Sequence, residues 1–283
     1  MTEASEATGN RTVSDARRSG LAVLDDVFTT ANAESRAALI AYLPAGYPTV
    51  AGSTGLLTQA LDAGADLVEV GLPYSDPVLD GPVIQHAVDA ALRGGVRVRD
   101  TLSVVETLAA RGGRAVVMTY WNPVLRYGPE AFARDLAAAG GLGVITPDLV
   151  PDEEHGWLAA TTAHDIAPIF LVAPSSTEQR IASTASVTRG FLYAASTMGV
   201  TGARDAVAGT ARTLVERVRR HTDLPVGVGL GVRSGSQASE IAEFADGVIV
   251  GSAMVSAAEH GRAAVARLTS ELAAGVRGNH TGR

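Results

Sequence analysis

Eight short β-rich runs recur along this chain, separated by stretches with helical periodicity, and that alternation limits its fold more than any other feature. The runs are AALIAYL (37–43), DLVEVG (66–71), AVVMTYW (115–121), GVITP (143–147), PIFLVAP (168–174), GFLYAAS (190–196), PVGVGLG (225–231) and DGVIVGS (246–252). Each is almost continuously apolar, as a parallel strand covered on both faces must be. Between them, Leu56, Leu57, Ala60 and Leu61 share a helical face that ends at Gly64. Asp100 is placed to cap a helix carrying Leu102, Val105 and Leu108, and Ser175 with Glu178 reads as a capping box. Leu214, Val215 and Val218 line a further face. Eight βα units in 283 residues predict one α/β domain, a closed (β/α)8 TIM barrel behind an N-terminal helix. An open doubly wound sheet is the competing architecture. No composition break marks a second domain. The expected boundaries are a mobile tail over 1–20, the barrel over 21–275 and a C-terminal tail over 276–283.

Composition removes several chemistries. There is no cysteine, which excludes disulfides, thiolate metal sites and a cysteine nucleophile. All 23 basic residues are arginine, so Schiff-base aldol cleavage, covalently held pyridoxal phosphate and a Walker lysine are excluded as well. A net charge of −7 opposes sequence-independent binding to nucleic acid. No stretch approaches the ~18 apolar residues that span a bilayer, and residues 1–20 lack an apolar signal core. A cytoplasmic location is expected. The six histidines show neither HExxH nor clustering at strand ends, so no metal site is expected.

A barrel places its chemistry on the loops after its strands. Extra length follows the second run (66 to 115) and the sixth (190 to 225), and long insertions in a compact domain are often binding loops or lids. In the second run, alternation sends Val68 and Val70 to one side and Leu67, Glu69 and Gly71 to the other. Glu69 is thus a carboxylate among apolar neighbours, where desolvation raises its pKa toward the range a general acid or base needs. An ion pair with an arginine on a neighbouring strand is the structural alternative. The next loop, GLPYSDPVLDGP (71–82), holds Asp76, a turn residue, and Asp80, which reads either as a site carboxylate or as a helix N-cap. The loop after the sixth run, Ser196 to Arg204, has the composition of a lid with Thr201 and Gly202 near its tip, or of an ordinary surface loop. Gly229, Gly231, Gly251 and Ser252 follow the last two runs. They are placed to form a backbone nest for phosphate, or merely to allow tight turns. Tyr120 and Trp121 close the third run, either walling an aromatic pocket or packing at the rim. A barrel of this kind has no lysine, so a carbon–carbon cleavage here needs an electron sink in the substrate itself.

AYLPAGYP (41–48), VEVGLPYSDPVLDGP (68–82), MTYWNPVLRYG (118–128), TPDLVPDE (146–153), APIFLVAPSS (167–176), YAASTMGVTGAR (193–204), PVGVGLGV (225–232) and VIVGSAMV (248–255) together, in order, resemble the tryptophan synthase alpha subunit family. The resemblance implies a lyase of tryptophan biosynthesis, which reversibly cleaves indole-3-glycerol phosphate to indole and glyceraldehyde-3-phosphate. It implies no cofactor in this chain and a beta-subunit partner in an alpha2beta2 assembly, which receives the indole and carries pyridoxal phosphate. It also answers the question of the electron sink, because protonating the indole at C3 makes the ring an iminium-like acceptor. Carried over residue by residue, it makes Glu69 the catalytic acid/base and Asp80 the acceptor of the indole N–H. Tyr193 and Thr201 become supporting residues. Gly202, Gly231, Gly251 and Ser252 become the phosphate cradle, and Tyr42, Ile84, Tyr120, Leu230 and Ile249 the indole pocket. Tyr42 and Leu230 stand where phenylalanine is common in the family, and Leu79 where a small residue is.

Overall fold

The structure is a computed structural model that describes residues 19–153, 156–195, 204–229 and 231–278. The expected tails therefore lie mostly outside the described residues, as do Thr201, Gly202 and Leu230. Nine strands form: β1 (Ala38–Pro44), β2 (Leu67–Gly71), β3 (Ala115–Met118), β4 (Gly143–Ile145), β5 (Ala167–Ile169), β6 (Leu171–Val172), β7 (Leu192–Ala195), β8 (Val226–Gly229) and β9 (Gly247–Val250). Every pairing is parallel, in the order β5-β4-β3-β2-β1-β9-β8-β7-β6. The two ends of that order, β5 and β6, are halves of the fifth run, parted only by Phe170. Its first half pairs with β4 and its second with β7, so the sheet closes on itself. The expected eight-unit barrel is the architecture, and the open sheet is set aside.

The helices are α1 (Gly20–Ala33), α2 (Val50–Asp62), α3 (Pro82–Arg93), α4 (Val98–Ala109), α5 (Trp121–Tyr127), α6 (Pro129–Ala138), α7 (Trp157–Ala163), α8 (Glu178–Val187), α9 (Arg204–Val218), α10 (Gly235–Ala242), α11 (Ser252–Glu259) and α12 (Arg262–Arg277). Strand alternation divides the core in two. Val68, Val70, Val117, Val144, Val228 and Val248 face outward into the helical layer, whereas Ile40, Leu67, Val116, Ile145, Ile169, Phe191 and Ile249 fill the barrel interior. α1 closes the base of that interior. Its buried face, Leu24, Val27, Phe28 and Ala31, joins the inner cluster, with the Phe28 and Phe191 rings 5.2 Å apart. Nearby, the Arg36 guanidinium grips both oxygens of Asp66 at 2.7 and 2.8 Å, and Asp66 also accepts the Leu39 N–H. This ties the starts of β1 and β2 together at the end away from the loops.

Several local expectations are corrected. β3 stops at Met118, and Trp121 opens α5 rather than ending a strand. The reason is distant: Asp148, beyond β4, accepts the Trp121 N–H at 2.8 Å and so supplies the cap. α4 begins after Arg97, and Asp100 serves from inside its first turn by accepting the Arg97 N–H. Thr177, not Ser175, caps α8, its hydroxyl accepting the Arg180 N–H at 3.1 Å. α12 runs to Arg277 because Val276 is still buried, so its last turn enters the stretch expected as a tail. Among the described residues no helix is long and apolar enough to cross a membrane.

Candidate active site

A cavity of about 420 Å³ opens at the end of the barrel where the strands finish. Its floor and walls follow from the same alternation that fills the core. Positions two residues further along each inward row (Tyr42, Glu69, Met118, Leu171, Tyr193, Gly229 and Gly251) reach the cavity instead of the interior cluster. Glu69 lies opposite Tyr42 in the β1–β2 register and is only 3% exposed. Its Oε2 has no hydrogen-bond partner among the described residues. The alternative of a structural ion pair with arginine is thereby removed. Burial first, and the Asp80 charge second, push the Glu69 carboxyl up to about 8.

Asp80 stands on the other side of the cavity, just ahead of α3. Gly81 holds the N-cap position of α3 and Pro82 its first turn, so Asp80 is not the cap. Its carboxyl accepts a hydrogen bond from the Tyr120 hydroxyl at 3.1 Å, and that hydroxyl in turn accepts the Leu79 N–H at 3.0 Å. Burial raises the Asp80 pKa, and the Tyr120 bond opposes the rise. Tyr120 is thus a support behind Asp80 and not one of the cavity-lining residues, and the Tyr74 ring packs 5.5 Å from it.

Tyr42 and Tyr193 are both inward and buried, and burial raises both hydroxyl pKa values well above the usual range. Each passes its hydroxyl over a glycine of the next strand, Gly71 and Gly229 respectively. A Cβ at position 71 would lie 2.5 Å from the Tyr42 hydroxyl oxygen and 2.7 Å from Cε2. Gly71→Ala is therefore expected to cost about 1–3 kcal/mol of stability by overpacking. Urea unfolding measures this, and a variant as stable as the parent would mean the tyrosine has room to move. Ile84, Ile249, Gly231, Gly251 and Ser252 all line the same cavity. Gly231 has φ +67°, and α11 starts at Ser252 without any side-chain cap, which leaves its first-turn N–H groups free for a ligand.

With this geometry in place, the comparisons are specific. Residues 28–280 match the family described as tryptophan synthase alpha chain. The chain belongs to that family. The tryptophan synthase alpha chain of Nocardia farcinica is 65% identical over 254 residues, covering 90% of this chain and 96% of that one. Among solved structures, tryptophan synthase of Mycobacterium tuberculosis superposes with a TM-score of 0.87 at 62% identity, over 90% of this chain and 98% of that one. A tryptophan synthase alpha chain from Legionella pneumophila, at 28% identity, still superposes with a TM-score of 0.83 over 92% of this chain and 99% of that one. Within this alpha-chain site, sequence reasoning missed Met118, Ile145, Leu171 and Ala195 as cavity residues. The signal was there: each follows from counting in twos along its own run, as was done for Glu69.

Proposed function

We propose that Glu69 and Asp80 carry out the alpha-chain lyase reaction in this chain, the reversible cleavage of indole-3-glycerol phosphate to indole and glyceraldehyde-3-phosphate. The observation that carries this reading is a buried, unpartnered carboxyl with a pKa of about 8 facing a second carboxyl across a cavity of ligand size. At neutral pH Glu69 is protonated. It delivers its proton to C3 of the indole, which converts the ring to an iminium-like electron acceptor. The resulting Glu69 carboxylate then takes the proton from the hydroxyl on the adjoining side-chain carbon. That carbon becomes the aldehyde of glyceraldehyde-3-phosphate as the carbon–carbon bond breaks, and the bonding electrons return to the ring as indole. Glu69 ends protonated, ready for another turnover. Asp80 accepts the indole N–H and stabilises the positive charge on the ring.

Tyr193 supports Glu69 from β7, while Tyr42, Ile84 and Ile249 form the apolar wall for the ring. Gly231, Gly251 and Ser252 supply backbone N–H groups for the phosphate, joined by Gly202. Thr201 and Leu230 complete the lid and the pocket. The partner in this reading is a tryptophan synthase beta chain in an alpha2beta2 assembly. It receives the indole and holds the pyridoxal phosphate, for which this lysine-free chain has no anchor.

Indole release from indole-3-glycerol phosphate tests the proposal. The rate for the chain alone is expected to be slow, to rise when a beta chain is added, and to fall with unit slope as pH rises through about 8 and Glu69 ionises. A rate that stays level to pH 10 would remove Glu69 from the role of acid.

A further inference from the structure

The cavity wall contributed by the segment after β6 is fixed by a side chain from another element. Ala173 and Ser176 both line the cavity. The turn between them is closed by two hydrogen bonds, from the Ser176 N–H to the Ala173 carbonyl at 2.8 Å and from the Ala173 N–H to the Ser176 hydroxyl at 3.0 Å. These bonds leave the carbonyls of Pro174 and Ser176 to be satisfied from outside the turn. Arg217, in the last turn of α9, satisfies both. Its Nη1 donates to the Pro174 carbonyl at 3.1 Å, and its Nη2 donates to the Ser176 carbonyl. The remaining edge of the guanidinium pairs with Glu178 at 2.6 Å through Nε. Glu178 is the first residue of α8, and its other oxygen meets His221 at 2.8 Å. The Arg217 side chain is 20% exposed. One planar fork thus holds two backbone carbonyls and a carboxylate in fixed relation, a task a lysine ammonium cannot perform.

We infer that Arg217 is a positioning residue for substrate binding, holding the Ala173–Ser176 wall of the cavity from behind. This rests on the function proposed above. It goes beyond it because Arg217 touches no cavity and would act only through the turn it clamps. Removing the guanidinium leaves two carbonyls and Glu178 without their shared donor, and the turn loosens. Ala173 and Ser176 then drift from the ring they contact, while Glu69 and Asp80, on β2 and the loop after it, stay in place. Binding suffers and chemistry does not.

The test is steady-state cleavage of indole-3-glycerol phosphate by the full chain. Arg217→Ala is expected to raise KM about tenfold with kcat within about threefold of the parent, since misplacement of a wall by an ångström costs one to two powers of ten. Guanidinium ion at millimolar concentration is expected to restore KM in that variant and to leave the parent unaffected. Arg217→Lys keeps a charge for Glu178 but holds at most one carbonyl, so its KM is expected to lie between the two. It serves also if the alanine variant does not fold. Arg219→Ala, which removes an exposed arginine paired with Asp246 at the opposite end of the barrel, is the control and should behave as the parent. An unchanged KM in both Arg217 variants overturns the inference, as does a fall in kcat that tracks loss of folded protein and does not respond to guanidinium. A parent chain that releases no indole at all would instead overturn the proposed function.

Discussion

Glu69→Gln is expected to fold, to retain phosphate-ligand binding, and to cleave indole-3-glycerol phosphate about 10⁴-fold more slowly than the parent. Glutamine fills the same space on β2 but carries no exchangeable acid proton. One general acid or base is worth about 10² to 10⁴ in rate, and here a single group makes both transfers. The same substitution is expected to change stability in the opposite sense. Glu69 titrates near 8 when folded and near 4.5 in the free side chain. Between those values the folded chain holds a proton that the unfolded chain has released, so stability falls as pH rises from about 4.5 to 8 and the loss is complete above that. At about 1.4 kcal/mol per pKa unit, the penalty reaches the order of 3–5 kcal/mol. Glutamine does not ionise and escapes it. Urea unfolding at pH 5 and pH 9 should therefore show the variant gaining on the parent as pH rises. An equal gap at both values would mean that Glu69 titrates as an ordinary carboxyl, and near-normal turnover would end its assignment.

Asp80→Asn carries the second large effect, a loss of about 10³ or more in kcat. The amide can still meet Tyr120, so the loop is expected to keep its geometry while losing its charge. Removing a single neutral oxyanion-hole donor costs about 10²–10³, and a full charge opposite a developing cation in a closed site is worth at least as much. The variant also has a diagnostic that a merely misfolded loop lacks. The Asp80 charge is one of the two causes that raise Glu69. Without it, the alkaline limb of the residual activity should move to lower pH. A variant with parental rate would leave Asp80 only a loop-building role.

What could be read from the sequence, and what could not, divides by the range of the interaction. Inward and outward faces of the strands depend on counting in twos, and the placing of Glu69 beneath the cavity needed nothing else. Tyr42, Ile84 and Ile249 line the cavity, and so do Gly231, Gly251 and Ser252, because motif and register point the same way. Where a partner far along the chain decides, local reasoning failed. Trp121 belongs to a helix because of Asp148, and Tyr120 turns from the cavity to Asp80, which lies 40 residues earlier. Arg217 looks like one of many surface arginines until Pro174 and Ser176, more than 40 residues back, are seen beneath it. Caps erred by a residue or two for a simpler reason: Ser175, Thr177 and Asp100 are all competent, and tertiary packing selects among competent neighbours.

The plug at the base of the barrel has a consequence for how the chain is made. α1 is the first of the described helices to leave a ribosome, yet the cluster that covers Leu24, Val27 and Phe28 includes Phe191 and Ile249. At roughly 5 to 20 residues per second, its apolar stripe waits on the order of 10 to 40 s for β9 to be synthesised. Throughout that interval the nascent chain presents a greasy amphipathic helix with no berth. The helix that finally seals the enzyme is thus, during translation, the segment in greatest need of a chaperone's shelter.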